Sequence, residues 1–195
     1  MKNFELVKIS AQINSISKTA QQICWTCATK NVYGQSLSIV VSTKQFVDYA
    51  LTAISGQIQA RWPRLYGHTK AIKTLLIVDL IIGLSINISI TLNLLKDPTL
   101  ITILFMVDLA MNNLIFVGAE QVAREDNLTN EERKRSGGYC KFFGALGKIA
   151  GSLTAILVYG SGHTVPLWVC GIIWGIERIA DATASWLTLS MTRED

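Results

Sequence analysis

Ionisable and amide side chains recur at four-residue spacing inside stretches that are otherwise apolar. Asp79, Gly83 and Asn87 share one helical face, Asp108 and Asn112 share a second with Asn113 alongside, and Glu177, Asp181 and Ser185 form a third. Arg178 stands one position off the third stripe, and Lys148 lies in a further apolar stretch. Two kinds of chemistry suit such a set: an ion or solute path through a membrane, or polar contacts that hold helices together. A charge at mid-depth in a bilayer costs about 3 kcal/mol or more, so these groups turn inward and pair. Arg178 has Asp181 on its own helix and Asp79 or Asp108 on neighbours, and Lys148 has the same choices. A path calls for a broken helix or for the same polar set in both halves of the chain. The halves do not repeat one another in this way, which favours the packing role.

Little else in the chain suggests a reaction. Cys24 and Cys27 spell CWTC, a lone CxxC without a second pair for zinc or a preceding strand. Cys140 and Cys170 read as small core residues. His68 and His163 fall in loops on opposite sides of the expected membrane. Glu120, Glu125, Asp126, Glu131 and Glu132 are interleaved with Arg124, Arg133, Lys134 and Arg135, the pattern of a solvated helical connector. No GxSxG, HExxH, phosphate-loop or dinucleotide motif occurs. The expectation is a non-enzymatic protein with no catalytic residue, metal site or cofactor. The Asn87 and Asn127 sequons are discounted, one lying mid-helix and the other on the cytosolic side.

The elements that position these residues are membrane helices. Half of the 195 residues are hydrophobic and 16% are charged, against about a quarter charged in a soluble domain; mean hydropathy is +0.35. A crossing takes about 20 mostly apolar residues, and four runs approach that: Thr74 to Leu95, Leu100 to Gly118, Phe142 to Gly160, and Val165 to Ser190. Lys96-Asp97-Pro98 and Ser161 to Thr164 are short links. The fold class is therefore all-α and polytopic: two transmembrane helical hairpins (four spans) preceded by amphipathic N-terminal helices. The expected units are an interfacial or cytosolic region 1–73, a first hairpin 74–118, a charged connector 119–141, a second hairpin 142–191 and a tail 192–195. Of 18 Lys and Arg, all but Lys96, Lys148 and Arg178 fall on the side of the N-terminal region, connector and tail. That side is cytosolic by the positive-inside rule, with both termini on it.

Gly147 with Gly151, and Gly171 with Gly175, are GxxxG pairs on consecutive spans, predicting a closely packed second hairpin. Trp168 and Trp186 suit interfaces, and Trp174 packs within. In the N-terminal third, Leu6, Ile9, Ile13, Ile16, Ala20 and Ile23 follow three-four spacing among polar residues. A second, less regular helix runs through Phe46 to Ile58, with a break at Gly34 and an end at Trp62-Pro63. Arg61, Arg64, Lys70 and Lys73 follow it. Either these helices pack together as a small cytosolic cap, or the apolar stripe enters the interface while the basic cluster meets anionic headgroups. The net charge of +4 is too modest to point to nucleic acid.

Three stretches resemble the peroxin-eleven family of membrane-shaping proteins, which includes divergent glycosomal members. They are LFMVDLAMNNLIFVGAEQV (104–122), NEERKRSGGYCKFFGALGKIAG (130–151) and GHTVPLWVCGIIWGIERIADATASWLTL (162–189). The likeness spans roughly residues 65 to 190. The N-terminal third departs, carrying SISKTAQQICWTC where many members have an Asp-Gly-Arg-Asp-Lys-type stretch. The resemblance implies a self-associating protein of the peroxisomal or glycosomal membrane that elongates it before fission, with fission machinery among its partners. The helix around Ile9 to Ile23 would be the remodelling element. Two alternatives remain: an accessory subunit of a larger complex, as in the mitochondrial inner membrane, or a small-solute channel subunit. No secretory signal or transit peptide is expected in the opening residues.

Overall fold

The computed structural model describes residues 2–33, 37–160 and 165–191. The Gly34 break, His163, the Ser161 to Thr164 link and the 192–195 tail lie outside them, as does the side chain of Cys27. The described chain is helical: α1 (Lys2–Tyr33), α2 (Leu37–Arg61), a 3₁₀ turn (Pro63–Tyr66), α3 (Thr69–Thr91), α4 (Pro98–Met111), a π turn (Asn112–Phe116), α5 (Val117–Asn127), α6 (Asn130–Gly160) and α7 (Leu167–Leu189).

Local chemistry sets several boundaries. Pro63 stops α2, because the residue before a proline avoids helical angles. Asp97 caps α4 by accepting from the Thr99 and Leu100 amides at 2.9 and 3.4 Å, with Pro98 at the first helical position. Thr129 and Glu132 form a capping box at the start of α6. The Thr129 amide donates to Glu132 Oε2 at 3.0 Å, and the Glu132 amide donates to Thr129 Oγ1 at 3.4 Å. Asn93 turns the chain after α3 in the left-handed region, at φ 57°, which asparagine tolerates better than most residues.

The helices run up and down between two ends. The near end gathers Val7, Leu128 and Met191, and next to them Tyr66, Ile72, Phe116 and Leu189. The far end gathers Cys24, Trp25, Ile90, Ile101, Phe105 and Cys170. Contacts along α1 fix its direction. Ser10 meets Thr188, Ser17 meets Glu177 and Asp181, and Cys24 meets Cys170, so α1 is antiparallel to α7. Phe4 meets Tyr139 and Thr19 meets Gly147, so α1 is parallel to α6.

The lateral order corrects the expected hairpins. Helix α1 lies between α6 and α7, and α7 lies between α1 and α3. The sequential pairs α3–α4 and α6–α7 are therefore not the packed pairs. The GxxxG motifs face other partners as well. A Cβ at Gly151 would lie 2.6 Å from the Thr19 carbonyl oxygen, and one at Gly147 would collide with the backbone of Ser15, so both glycines admit α1. A Cβ at Gly171 would lie 2.9 Å from the Asn87 carbonyl oxygen, which admits α3, whereas Gly175 has ordinary clearance. Helix α1 is part of the bundle, packed on both α6 and α7. Residues 119–141 are the end of α5 and the start of α6, joined at Leu128-Thr129.

The exterior is apolar and the interior partly polar. On α3, Ile77, Val78, Ile81, Ile82 and Ile88 are exposed while Gly83 and Asn87 are buried. On α6, Phe142, Leu146, Ile149, Leu153 and Leu157 are exposed. Patches of this extent need a nonaqueous neighbour. Thr69–Thr91, Pro98–Asn127 and Asn130–Val158 are long and apolar enough to cross a membrane. Helix α7 has 23 residues but carries Glu177, Arg178 and Asp181 at its centre, and it falls short of that standard.

Candidate functional site

The polar stripes converge on α7. Arg178 projects toward α3, where glycine at position 83 leaves room for its guanidinium. Its Nη1 donates to Asp79 Oδ2 on α3 at 2.5 Å and lies 2.5 Å from Asp108 Oδ1 on α4. The second oxygen of Asp108 accepts from Trp174 Nε1 at 2.9 Å. One arginine thus ties three helices together, and the tryptophan beside it shields the pair against Phe105, 5.2 Å away between ring centres. Its sequence neighbour Asp181 is not part of this clamp.

A second node lies on the other face of α7, against α1. Ser17 Oγ is 3.3 Å from Glu177 Oε1 and 3.3 Å from Asp181 Oδ1. Asn112 in the π turn donates through Nδ2 to Asp181 Oδ2. The wide π turn belongs to a continuous helical stretch from Pro98 to Asn127, and such turns mark functional sites in many helices. Toward the near end, Ser185 donates to Glu120 Oε1 at 2.5 Å, and Glu120 also pairs with Arg124 at 3.4 Å. Ser10 donates to the Ala184 carbonyl at 2.8 Å, continuing the α1–α7 seam.

Asp79, Asp108, Asn112, Glu177, Arg178 and Asp181 are therefore brought together. Lys148 is not: it is exposed on α6, and among the described residues no ion pair holds it. The network also contains Ser17 and Trp174, together with Glu120, whose sequence context is that of a solvated connector. The charge of Lys18 acts on Asp181, Glu177 and Glu120.

The α1 stripe requires a correction of one residue. The buried face of α1 holds Asn3, Val7, Ser10, Ser17, Gln21 and Cys24, each one position after a member of the apolar series or its extension. Ile9 and Ile16 are 45% and 53% exposed, whereas Ala20 is buried and Leu6, Ile13 and Ile23 are half-buried. The helix turns its small polar residues inward, toward the carboxyl groups of α7 and the glycines of α6. The signal was present in Ser10, Asn14, Ser17 and Gln21, which keep the same three-four spacing.

The basic cluster divides. Arg61, Arg64 and Lys70 are exposed, as are Trp62 and Leu65 beside them. Lys73 instead donates to Ser190 Oγ at 3.0 Å and sits 4.9 Å from the Trp186 ring centre. Tyr66 clamps the 3₁₀ turn by donating to the Leu114 carbonyl at 2.7 Å, with its ring over Gly118. Burial pushes its phenol above the ordinary pKa, against the effect of a hydrogen bond with Ser55. The two described cysteines at the far end, Cys24 and Cys170, face each other's carbonyls across α1 and α7. Among the described residues no three His, Cys, Asp or Glu side chains converge to hold a metal ion.

No family model, no curated protein and no solved structure matches this chain.

Proposed function

We propose that this chain is a non-enzymatic integral membrane protein that bends the bilayer holding it. In this reading α3, the stretch from α4 to α5, α6 and α7 cross the bilayer, and α1 shares their environment because it lies between α6 and α7. The exposed Phe46, Tyr49 and Ile54 of α2 suit lipid contact too. The near end, which carries most of the basic residues, faces the cytosol.

The observation that carries the proposal is the 3₁₀ turn. Trp62 and Leu65 are 56% and 60% exposed beside Arg61, Arg64 and Lys70, on a turn clamped to the bundle by Tyr66. A fixed ledge of this kind inserts apolar bulk into one leaflet while its cations hold anionic headgroups, and area added to one leaflet favours curvature. The remodelling role expected of Ile9 to Ile23 passes to this ledge, since α1 is built into the bundle. The accessory-subunit alternative needs partners for intramembrane charges, and Arg178 finds two carboxylates in its own chain. The resemblance to the peroxin-eleven family supplies the organelle of this proposal, the peroxisome or glycosome, together with self-association.

The test is reconstitution of the full chain into anionic and into neutral vesicles, viewed by electron microscopy. Tubules should form in the anionic vesicles and be lost with Trp62→Ser/Leu65→Ser. Vesicles that stay round with the wild-type chain refute the proposal. Imaging the tagged protein beside peroxisomal and mitochondrial markers tests the organelle.

A further inference from the structure

The hydrogen inventory of the α1–α7 node is short by one. A serine hydroxyl carries a single hydrogen and two acceptor lone pairs, whereas an ionised carboxylate only accepts. Ser17 Oγ lies within hydrogen-bond distance of oxygens from two carboxyl groups, Glu177 Oε1 and Asp181 Oδ1, both at 3.3 Å. Its hydrogen serves one of them. The other completes a hydrogen bond to Oγ only by carrying a proton itself. The surroundings decide which. Asp181 accepts from Asn112 on its second oxygen and feels Lys18 and Arg178. Glu177 is 2% exposed, and its Oε2 is enclosed without a hydrogen-bond partner. An ionised carboxylate left half-unsatisfied in such a place is strongly disfavoured.

The charge count agrees. Asp79, Asp108, Glu177 and Asp181 are four carboxyl groups, and Arg178 is engaged with the first two. Lys18 on α1 is a further cation acting on both Glu177 and Asp181. The groups facing Glu177 are thus Ser17 and Lys18 from α1, Asp108 from α4, and Arg178 and Asp181 from α7. Four carboxyl groups set against these two cations leave the cluster short of positive charge, and a proton on Glu177 reduces that deficit.

We propose that Ser17, Glu177 and Asp181 form a proton-binding site in the bundle interior, with the proton on Glu177 and shared with Asp181 through the Ser17 hydroxyl. In the resting arrangement Glu177 Oε1–H donates to Ser17 Oγ, and Ser17 Oγ–H donates to Asp181 Oδ1. Transfer breaks the Oε1–H and Oγ–H bonds and forms new Oγ–H and Oδ1–H bonds. The negative charge moves from Asp181 to Glu177 and no atom is gained or lost. Because one partner sits on α1 and two on α7, the bound proton also fastens the N-terminal helix to the bundle. The site rests on the packing of α1 against α7 and is independent of membrane bending.

Infrared difference spectra of the full chain in lipid nanodiscs, in neutral buffer, test it. The wild type should show the carbonyl stretch of an undissociated carboxylic acid, shifting in heavy water. Glu177→Gln, whose amide donates to Ser17 as the acid does, should abolish that component with an unchanged circular dichroism spectrum. Ser17→Ala should shift the component without abolishing it, which decides the matter if the glutamine variant does not fold. A wild-type spectrum without an acid band, or a band unchanged in both variants, overturns the proposal.

Discussion

Gly83 is the seat of Arg178: a Cβ at position 83 would lie 2.6 Å from the guanidinium Nε and 2.8 Å from Cζ. The absence of a side chain on α3 lets a charged group from α7 lie flat against the helix and reach Asp79, one turn earlier. Gly83→Ala should therefore disturb the clamp without removing any charged group. The expected loss is about 1–3 kcal/mol, the usual range for forcing bulk into a packed interior, read as a lower unfolding midpoint in detergent.

Removing the cation should cost more. Arg178→Met leaves the buried Asp108 and the half-buried Asp79 without their cation, and breaking a buried pair in this way costs about 3–5 kcal/mol. Adding Asp79→Asn and Asp108→Asn to Arg178→Met should restore part of the loss. Unfolding of the single, double and triple variants checks this; a triple variant no more stable than Arg178→Met contradicts the clamp.

The glycines separate packing from mere helix composition. Gly171→Ala meets α3 backbone at 2.9 Å and Gly151→Ala meets α1 backbone at 2.6 Å, whereas Gly175→Ala finds its nearest neighbour at 3.9 Å. The first two should lose about 1–3 kcal/mol and the third almost nothing. Equal effects at 171 and 175 would contradict the α3–α7 contact.

The direction of α1 makes a labelling prediction. Lys8 and Lys134 lie toward the near end and Lys96 toward the far end, so in a bilayer Lys8→Cys and Lys134→Cys should react with an impermeant thiol reagent from one side. Lys96→Cys should react from the other. Labelling of positions 8 and 134 from opposite sides is incompatible with α1 running parallel to α6.

Tyr66 gives the near end an alkaline limit. Its folded-state pKa is raised by burial above the ordinary 10.0, so the native state retains a proton that the unfolded chain has released. Its contribution is complete below the unfolded pKa and is lost as pH rises through the folded one. Tyr66→Phe should lack that alkaline loss and cost about 1 kcal/mol at neutral pH through the missing bond to Leu114. Unfolding midpoints across the alkaline range measure both effects.

Much of the helical content is local information. Apolar runs near Thr74, Leu100 and Phe142 are long enough to be helices wherever they land, Pro63 and Pro98 punctuate the chain by their fixed geometry, and the excess of Lys and Arg at one end is a count along the sequence. The inward turn of Asp79, Asp108 and Glu177 also follows from the solvation cost of charge. What tertiary structure decided was adjacency. Nothing in GKIAG or GIIWG says which helix a glycine groove receives, because a groove accepts any backbone of matching shape. The packing of α1 on α6 and of α3 on α7 settles that choice, and the seat of α1 between α6 and α7 fixes which of its faces is buried. A stripe of isoleucines and a stripe of serines one residue apart are both periodic. Only when carboxyl groups on α7 and glycines on α6 are set opposite does hydrogen bonding select the serines for the interior and leave Ile9 and Ile16 outside.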